Sequence, residues 1–317
     1  MGDRPTLSLP SSSVPPGISV VIPTKDRKDS LLRVLPSYLS QPEVTEVIVV
    51  INASTDGTQK VLAELAVNEP RLRVFDNEVN RGLCFSQNRG VAESRCELIF
   101  IGEDDVELTP GFFALLESHR QALGVQFICG RNVWRIDGEG AEQALERASE
   151  LVGPYVNLKT LQIETGFALP DDSFQKMLAA PTLGEAAAFR DVPFDEGFRV
   201  NSYREETDFQ ISAQEKGYKL GYCPHAICFN EIYTQDRGGI HSAHGIRWTF
   251  WVARNNWRFI TKHPEFLREH FEIGNKYAYF CKVAAMTFWS DQAVPMLIST
   301  RKVLRQVGNR PRSETRR

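Results

Sequence analysis

From residue 18 onward the chain alternates between two hydrophobic patterns. Short runs rich in apolar and β-branched residues, at 18–23, 47–51, 71–75 and 97–101, predict strands. Between them, helical periodicity over 29–40, 55–67 and 83–94 predicts three helices, the second with Asp56 near its start. Strand and helix alternating across short loops imply a mostly parallel sheet covered by helices on both faces. Thr109 and Pro110 are placed to open a further helix as its cap and first residue. Past residue 125 the alternation weakens to a strand at 127–134 and a helix at 141–151. A loop-rich stretch then runs to Phe198, punctuated by Pro154, Pro170, Pro181 and Pro193. A helix follows over 205–216 and stops at Gly217. From Ile246 the pattern is helical and strongly aromatic, with Trp248, Phe250, Trp251, Trp257 and Phe259. The Ser- and Pro-rich residues 1–17 read as a disordered lead-in.

Composition narrows the classes. At 317 residues and 42% hydrophobic, the chain can bury one large core or two modest ones. A net charge of −3 gives no global basic field, so nucleic acid is not expected as a partner. The six cysteines are scattered without CxxC spacing and read as reduced thiols of a cytoplasmic protein. No signal-peptide pattern opens the chain. No window is apolar enough for a membrane span, and the best, 277–299, is broken by Lys282, Asp291 and Pro295. The expectation is a soluble protein or one peripheral to the inner face of a membrane. Residues 301–317 carry seven Lys or Arg against Glu314 alone, which reads as a solvated basic tail.

The predicted strands end in polar residues: Thr24-Lys25-Asp26-Arg27, Asn52-Ala53-Ser54, and Glu103-Asp104-Asp105. In open α/β sheets, ligands sit at the carboxyl ends of the strands. Three consecutive carboxylates repel one another, and hard oxygen donors of this kind suit Mg²⁺ or Mn²⁺ held together with a substrate's phosphates. The plainer alternative is a solvated acidic turn.

The order of motifs adds a resemblance. Ile22-Pro23-Thr24-Lys25-Asp26-Arg27, Asn52-Ala53-Ser54-Thr55-Asp56-Gly57-Thr58, Asn80-Arg81-Gly82 with Asn88-Arg89-Gly90, and Glu103-Asp104-Asp105-Val106 follow one another with fixed spacing. Phe194-Asp195-Glu196-Gly197-Phe198 and Arg204-Glu205-Glu206-Thr207-Asp208 come later. Together they resemble a family 2 glycosyltransferase of the GT-A fold, whose segments read "VVIPTxNR", "DDGSTDGT", "NRGxxxxxNxG", "LDDDV" and "FDExF…GEDxDL". The resemblance implies an α/β/α sandwich with a mostly parallel sheet over 18–245, divided into a nucleotide-binding half (18–112) and an acceptor half (113–245). Residues 246–317 form a helical, aromatic and basic extension.

It also implies inverting transfer from a nucleotide-diphosphate sugar, with a UDP-sugar favoured, to a hydroxyl acceptor such as a glycan, a lipid-linked molecule or a small aglycone. Under it, Asp105 ligates Mg²⁺ or Mn²⁺, and Glu103 and Asp104 hold the ribose or a water of the metal shell. Pro23, Thr24, Asp26 and Arg27 form the nucleotide loop, and Arg81 reaches the diphosphate. Asn52 reads the base, where Ile51 replaces the family's usual acid. Glu206 is the expected general base with Glu205 second, both Glu where the family has Glu-Asp, and Asp208 orients the base or acceptor. His241 is a further metal-ligand candidate beside His244. The segment 184–190 resembles a small-residue stretch lining the sugar pocket, and is equally an Ala-rich helix. The aromatic helix from Ile246 is expected to bury a face on the catalytic domain, and is compatible with a membrane interface. A homo-oligomer is left open. Two rivals are weighed: a sugar nucleotidyltransferase, disfavoured because no glycine follows the first strand, and a degenerate, non-catalytic transferase-like binding protein.

Overall fold

In a computed structural model the described residues are 17–136, 138–151, 155–157, 160–163, 166, 173–178, 181–231 and 245–289. The expected lead-in (apart from Gly17), His241, His244 and the basic tail lie outside them.

The N-terminal half follows the sequence pattern closely. Strands β1 (Ile18–Thr24), β2 (Val44–Asn52), β3 (Leu72–Asn77) and β4 (Leu98–Ile101) pair in parallel in the order β3-β2-β1-β4. Helices α1 (Lys28–Leu39), α2 (Thr58–Asn68) and α3 (Leu83–Glu93) connect them. Alternate strand residues feed two separate cores. Val20, Ile22, Val47 and Val49 pack with Leu31, Val34 and Leu35 of α1, whereas Val21, Ile48 and Val50 pack with Cys84 and Val91 of α3. A strand buried on both faces needs no polar side, which is why these runs lack one. Helix α2 starts three residues later than its pattern predicts. Thr55 is held in the loop by Asp26, and Gly57, at φ 87°, makes the turn into the helix.

The second half departs further. A short strand β5 (Val106–Leu108) follows the acidic run, and α4 (Phe112–Leu123) begins after Gly111, at φ 74°. Thr109 is therefore not the cap: its hydroxyl and its N–H both donate to the carbonyl of Ile227. After β6 (Phe127–Arg135) and α5 (Ala141–Ser149), the loop-rich stretch holds β7 (Val156–Asn157), β8 (Gln162–Ile163), β9 (Ser173–Phe174) and β10 (Thr182–Glu185). Strand β10 inserts antiparallel between β4 and β6 and joins the two halves into one sheet. Gly184 is required there, since a Cβ would lie 2.3 Å from Cδ1 of Phe127. Helix α6 (Ala186–Asp191) buries Ala186, Ala188 and Phe189.

Helix α7 (Glu205–Glu215) ends at Gly217, φ 92°, as expected. Strand β11 (Leu220–Glu231) runs parallel to β6 with an irregularity between Cys223 and Ile227, and antiparallel to β5. The full order is β3-β2-β1-β4-β10-β6-β11-β5, with β9 also on β11, and the longest ladders are parallel. Helices α8 (Ile246–Lys262), α9 (Pro264–Phe271) and α10 (Lys276–Phe288) complete the described chain. Phe259, Ile260, Phe266, Leu267, Phe271, Tyr279 and Val283 join the same core as Val21 and Phe127, so these helices pack on the sheet's helical layer. The six cysteines form no disulfide.

Candidate active site

The polar strand ends converge. After β1 the chain turns through Asp26, a non-glycine residue at φ 52°. Its N–H donates to Ser54 Oγ (2.9 Å), and its carboxylate accepts from the Thr55 N–H (2.6 Å) and hydroxyl (3.1 Å) and from Lys25 Nζ (2.5 Å). Burial raises the Asp26 pKa, but these donors outweigh it and hold the carboxyl below its ordinary range. Asp26 thus ties the loop after β1 to the loop after β2. Asn52, at the end of β2, spends its amide on the chain: Nδ2 donates to Asn80 Oδ1 (2.9 Å), and Oδ1 accepts from the Arg81 N–H (2.9 Å). The structure therefore places Asn52 as the brace of the Asn80–Gly82 turn, while Arg81 is exposed with its guanidinium 4.0 Å from the Phe85 ring centroid.

Thr24 donates its hydroxyl to Asp104 Oδ2 (2.7 Å). Arg27 reaches both later acids, with Nη2 2.9 Å from Asp105 Oδ2 and Nε 3.4 Å from Asp104 Oδ1. Both aspartates are only 8% exposed, so this guanidinium offsets charge that solvent screens poorly. Glu103 is aimed elsewhere. Its backbone is bracketed by the Tyr38 hydroxyl, which donates to its carbonyl (3.0 Å) and accepts from its N–H (3.3 Å). Its side chain accepts from Asn230 Nδ2 of β11 (3.3 Å).

Glu103 lies within electrostatic reach of Glu205 and Glu206 at the start of α7, about 100 residues away in sequence. Burial, then repulsion from Glu206, Asp105 and Asp104, lifts the Glu103 pKa well above the carboxylate range. Burial, with Glu205 adjacent, does the same to Glu206. Glu205 is pushed up to about 8, by burial first and by Glu103, against hydrogen bonds from the Glu205 and Glu206 backbone and from Gln87. Three acids that cannot all ionise together demand protons or a cation, a signature of functional sites. Glu206 also borders a small internal cavity with Gln87, Thr182, Phe189, Phe194 and Phe209. The carboxylate oxygens of Glu103, Asp104 and Asp105 are hard donors of the kind that fit Mg²⁺ or Mn²⁺. Among the described residues no three His, Cys, Asp or Glu side chains form a ready-made metal cage.

Asp208 is placed differently from the expectation. It is 1% exposed, and its two oxygens meet Lys262 Nζ (2.6 Å) and His263 Nε2 (2.9 Å), so it anchors α7 to the α8–α9 junction instead of facing an acceptor. His263 Nδ1 continues to Glu215 (3.0 Å). The loop entering α7 contains three non-glycine residues at positive φ: Val200 (68°), Ser202 (48°) and Arg204 (79°). Such residues cost about 1–3 kcal/mol each and persist only where surroundings enforce them. Helix α8 does so. Arg254 donates to the carbonyl of Gly197 (3.1 Å), Asn255 to the carbonyl of Arg199 (3.2 Å) and to Asn201 Oδ1 (2.9 Å), and Asn256 Oδ1 accepts from Arg204 Nε (3.1 Å). Arg204 also donates to the carbonyls of Thr160 and Leu161, and Arg258 forms a fork with Asp195. From the other side, Asn88 of α3 donates to the Phe194 carbonyl (2.9 Å) and accepts from its N–H (2.8 Å). Tyr38, Gln87, Asn230 and the α8 asparagines were not singled out from sequence as site residues. A polar residue within an apolar strand was the available signal for Asn230, and the pair Asn255-Asn256 on an otherwise amphipathic helix for the clamp.

Comparison with known proteins bears on the family and the fold. The family model for glycosyl transferase family 2 matches residues 19–180. WcaA of Escherichia coli K12, described as a colanic acid biosynthesis glycosyl transferase, is 30% identical over 125 residues, covering 39% of this chain and 45% of that protein. The succinoglycan biosynthesis protein ExoO of Rhizobium meliloti is 28% identical over 154 residues, 47% of this chain and 44% of its own. The chain thus spans less than half the length of these curated relatives. Among solved structures, GalNAc-T7 with UDP, GalNAc and Mn²⁺ superposes with a TM-score of 0.58 at 13% identity, over 87% of this chain and 58% of that one. TarS 1–349 of S. aureus with UDP-GlcNAc gives 0.57 at 16% identity, over 86% and 73%. At these identities the likeness establishes a shared GT-A fold.

Proposed function

The chain belongs to glycosyl transferase family 2, and on that premise we propose that it transfers a sugar from a UDP-sugar to a hydroxyl acceptor with inversion, using a divalent cation. The observation that carries this is the convergence on the acidic strand end, where Thr24 and Arg27 of the first loop hold Asp104 and Asp105, Asn230 holds Glu103, and Glu205 and Glu206 at the start of α7 lie within electrostatic reach. A carboxylate of raised proton affinity is a stronger base than an ordinary one once it is ionised, and a cation bound beside it would favour that ionised form. In the proposed reaction Glu206, with Glu205 beside it, takes the proton from the acceptor hydroxyl as its oxygen attacks the anomeric carbon. The bond from that carbon to the diphosphate oxygen breaks, and its electron pair leaves with the nucleoside diphosphate. A single in-line displacement inverts the anomeric centre.

Asp105, with Asp104 and Glu103 beside it, would hold Mg²⁺ or Mn²⁺, which when bound neutralises charge on the departing diphosphate. Arg27, held between Asp104 and Asp105, would share that diphosphate, and Arg81, in the turn after β3, would reach it from beyond β2. Thr24 and Asp26 shape the nucleotide loop, and Asn52 serves it by bracing the Asn80–Gly82 turn. The relatives named for colanic acid and succinoglycan biosynthesis favour a glycan or glycan precursor as acceptor. Calorimetric titration with UDP, GDP, dTDP and CDP, with Mn²⁺ and with EDTA, tests the reading. Binding of UDP that needs Mn²⁺ and disappears in Asp105→Ala is the expected result. A folded protein that binds none of the four overturns it.

A further inference from the structure

We propose that the outer faces of α8 and α10 seat the protein on an anionic lipid surface, an inference that stands independently of the transferase reading. These two helices pack together, with the Trp257 ring 5.6 Å from Tyr277 and 5.0 Å from Phe280. Their inner sides enter the core, but their outer sides keep large apolar groups in solvent: Ile246 (77% exposed), Phe250 (62%), Tyr277 (63%), Phe288 (52%) and Trp289 (60%). Isolated exposed hydrophobics need no explanation, but a run of aromatics on adjoining helices does.

Charge identifies the occupant. Helix α8 carries Arg247, Arg254, Arg258 and Lys262, and α10 carries Lys276 and Lys282, with no Asp or Glu in either helix of a chain whose net charge is −3. Arg258 and Lys262 are paired with Asp195 and Asp208, whereas Arg247 and Lys282 are exposed on the same two helices as the aromatics. The acids of this region, Glu265, Glu269 and Glu272, fall on α9 and at its end. Beyond Trp289 the sequence runs on to residue 317 with seven basic residues against Asp291 and Glu314. Aromatic groups for the headgroup boundary and clustered cations for anionic lipid are the two signals that together hold a protein at a membrane surface. No helix among the described residues is long and apolar enough to cross a membrane, so the contact is interfacial.

The helix geometry also orients the contact. His263, after the end of α8, meets Asp208 and Glu215 of α7, while Asn255 meets the loop that precedes α7. From Asn255 back to Ile246, nine residues of helix at 1.5 Å each extend about 14 Å further, toward the end of the molecule where Glu205 and Glu206 lie. Seating would therefore bring the carboxylate cluster toward the lipid.

The test is flotation of the full chain with vesicles of phosphatidylcholine alone, and of phosphatidylcholine and phosphatidylglycerol in equal parts. Recovery with the anionic vesicles is expected to exceed recovery with the neutral ones. It should fall on raising salt from about 0.1 to about 1 M, which shortens the screening length from about 10 to about 3 Å. The double variant Phe250→Ser/Trp289→Ser should weaken partitioning about tenfold or more. A second, Arg247→Glu/Lys282→Glu, leaves the aromatics in place and should abolish the preference for anionic lipid. Failure to float with either vesicle, equal recovery with both, or unchanged partitioning of folded variants overturns the proposal. So does a wild-type dimer in sedimentation analysis that the first variant makes monomeric, because the face would then be a protein interface.

Discussion

Glu205 gives the site a measurable pH signature. Its pKa stands at about 8 in the folded protein against an ordinary 4.5, so the folded state holds a proton that the unfolded chain releases across that window. A group with a raised folded pKa contributes stability that is complete below its unfolded pKa and is lost as pH rises through the folded one. At about 1.4 kcal/mol per pH unit, the gap corresponds to roughly 5 kcal/mol lost by pH 8 and about 3 kcal/mol by pH 7. These are ceilings, because Glu103 and Glu206 share the same protons. Urea denaturation at half-unit steps from pH 5 to pH 8, without divalent metal, should show stability falling steadily with pH. In Glu205→Gln the folded state holds no such proton, and the slope should be shallower by up to about 1.4 kcal/mol per pH unit. The variant should thus be less disadvantaged at pH 8 than at pH 5. A variant slope equal to the wild type's would refute the reasoning, because Glu205 would then titrate as an ordinary exposed acid.

Other perturbations probe the supports of the site. Asp208→Ala leaves His263 with Glu215 alone and Lys262 with Asp195 alone, so a loss of about 1–3 kcal/mol is expected by urea denaturation, whereas Arg258→Ala, at a more exposed fork, should cost less. Gly184→Ala drives a methyl group to 2.3 Å from the Phe127 ring and should cost about 1–3 kcal/mol, read as a lowered thermal midpoint. Asn88→Ala removes both bonds to the Phe194 backbone. It should destabilise by about 1–3 kcal/mol and lower kcat more than UDP affinity, since it bears on the loop leading to α7 and not on the nucleotide loop.

Legibility of the fold tracked the locality of the forces. Strands β1 to β4 and their helices could be read because each buries both faces or one stripe, and that pattern is written within ten residues or so. Strand β10 could not: four residues, one of them glycine, in a proline-rich stretch carry no period, and the strand exists because β4 and β6 offer edges to it. Strand β11 was hidden by Pro224 at its irregularity, and β5 by its length of three residues. At the site, the acidic run and the Glu205-Glu206 pair were visible, but their meeting is a product of the sheet and loops. Asp208 looked like a partner of the base because it lies two residues beyond Glu206 on the same helix. Its actual partners come from Lys262 and His263, more than 50 residues away, and no local pattern reports them. Asn52 was likewise legible as a polar strand end, but its use as a brace depended on where Asn80 arrives.

The place of β10 has a consequence for how the chain is made. During synthesis β1 to β4 emerge first and can pair, but the β4 edge, Leu98–Ile101, has no antiparallel neighbour until residues 182–185 follow. At roughly 5–20 residues per second, the ~80 residues between them leave that apolar edge open for about 4–16 s on each ribosome. An unpaired apolar edge is a template for pairing with another nascent chain. Slowing translation downstream of residue 101 should therefore lower the soluble yield of this protein, while a synonymous gene that hastens the passage to residue 185 should raise it.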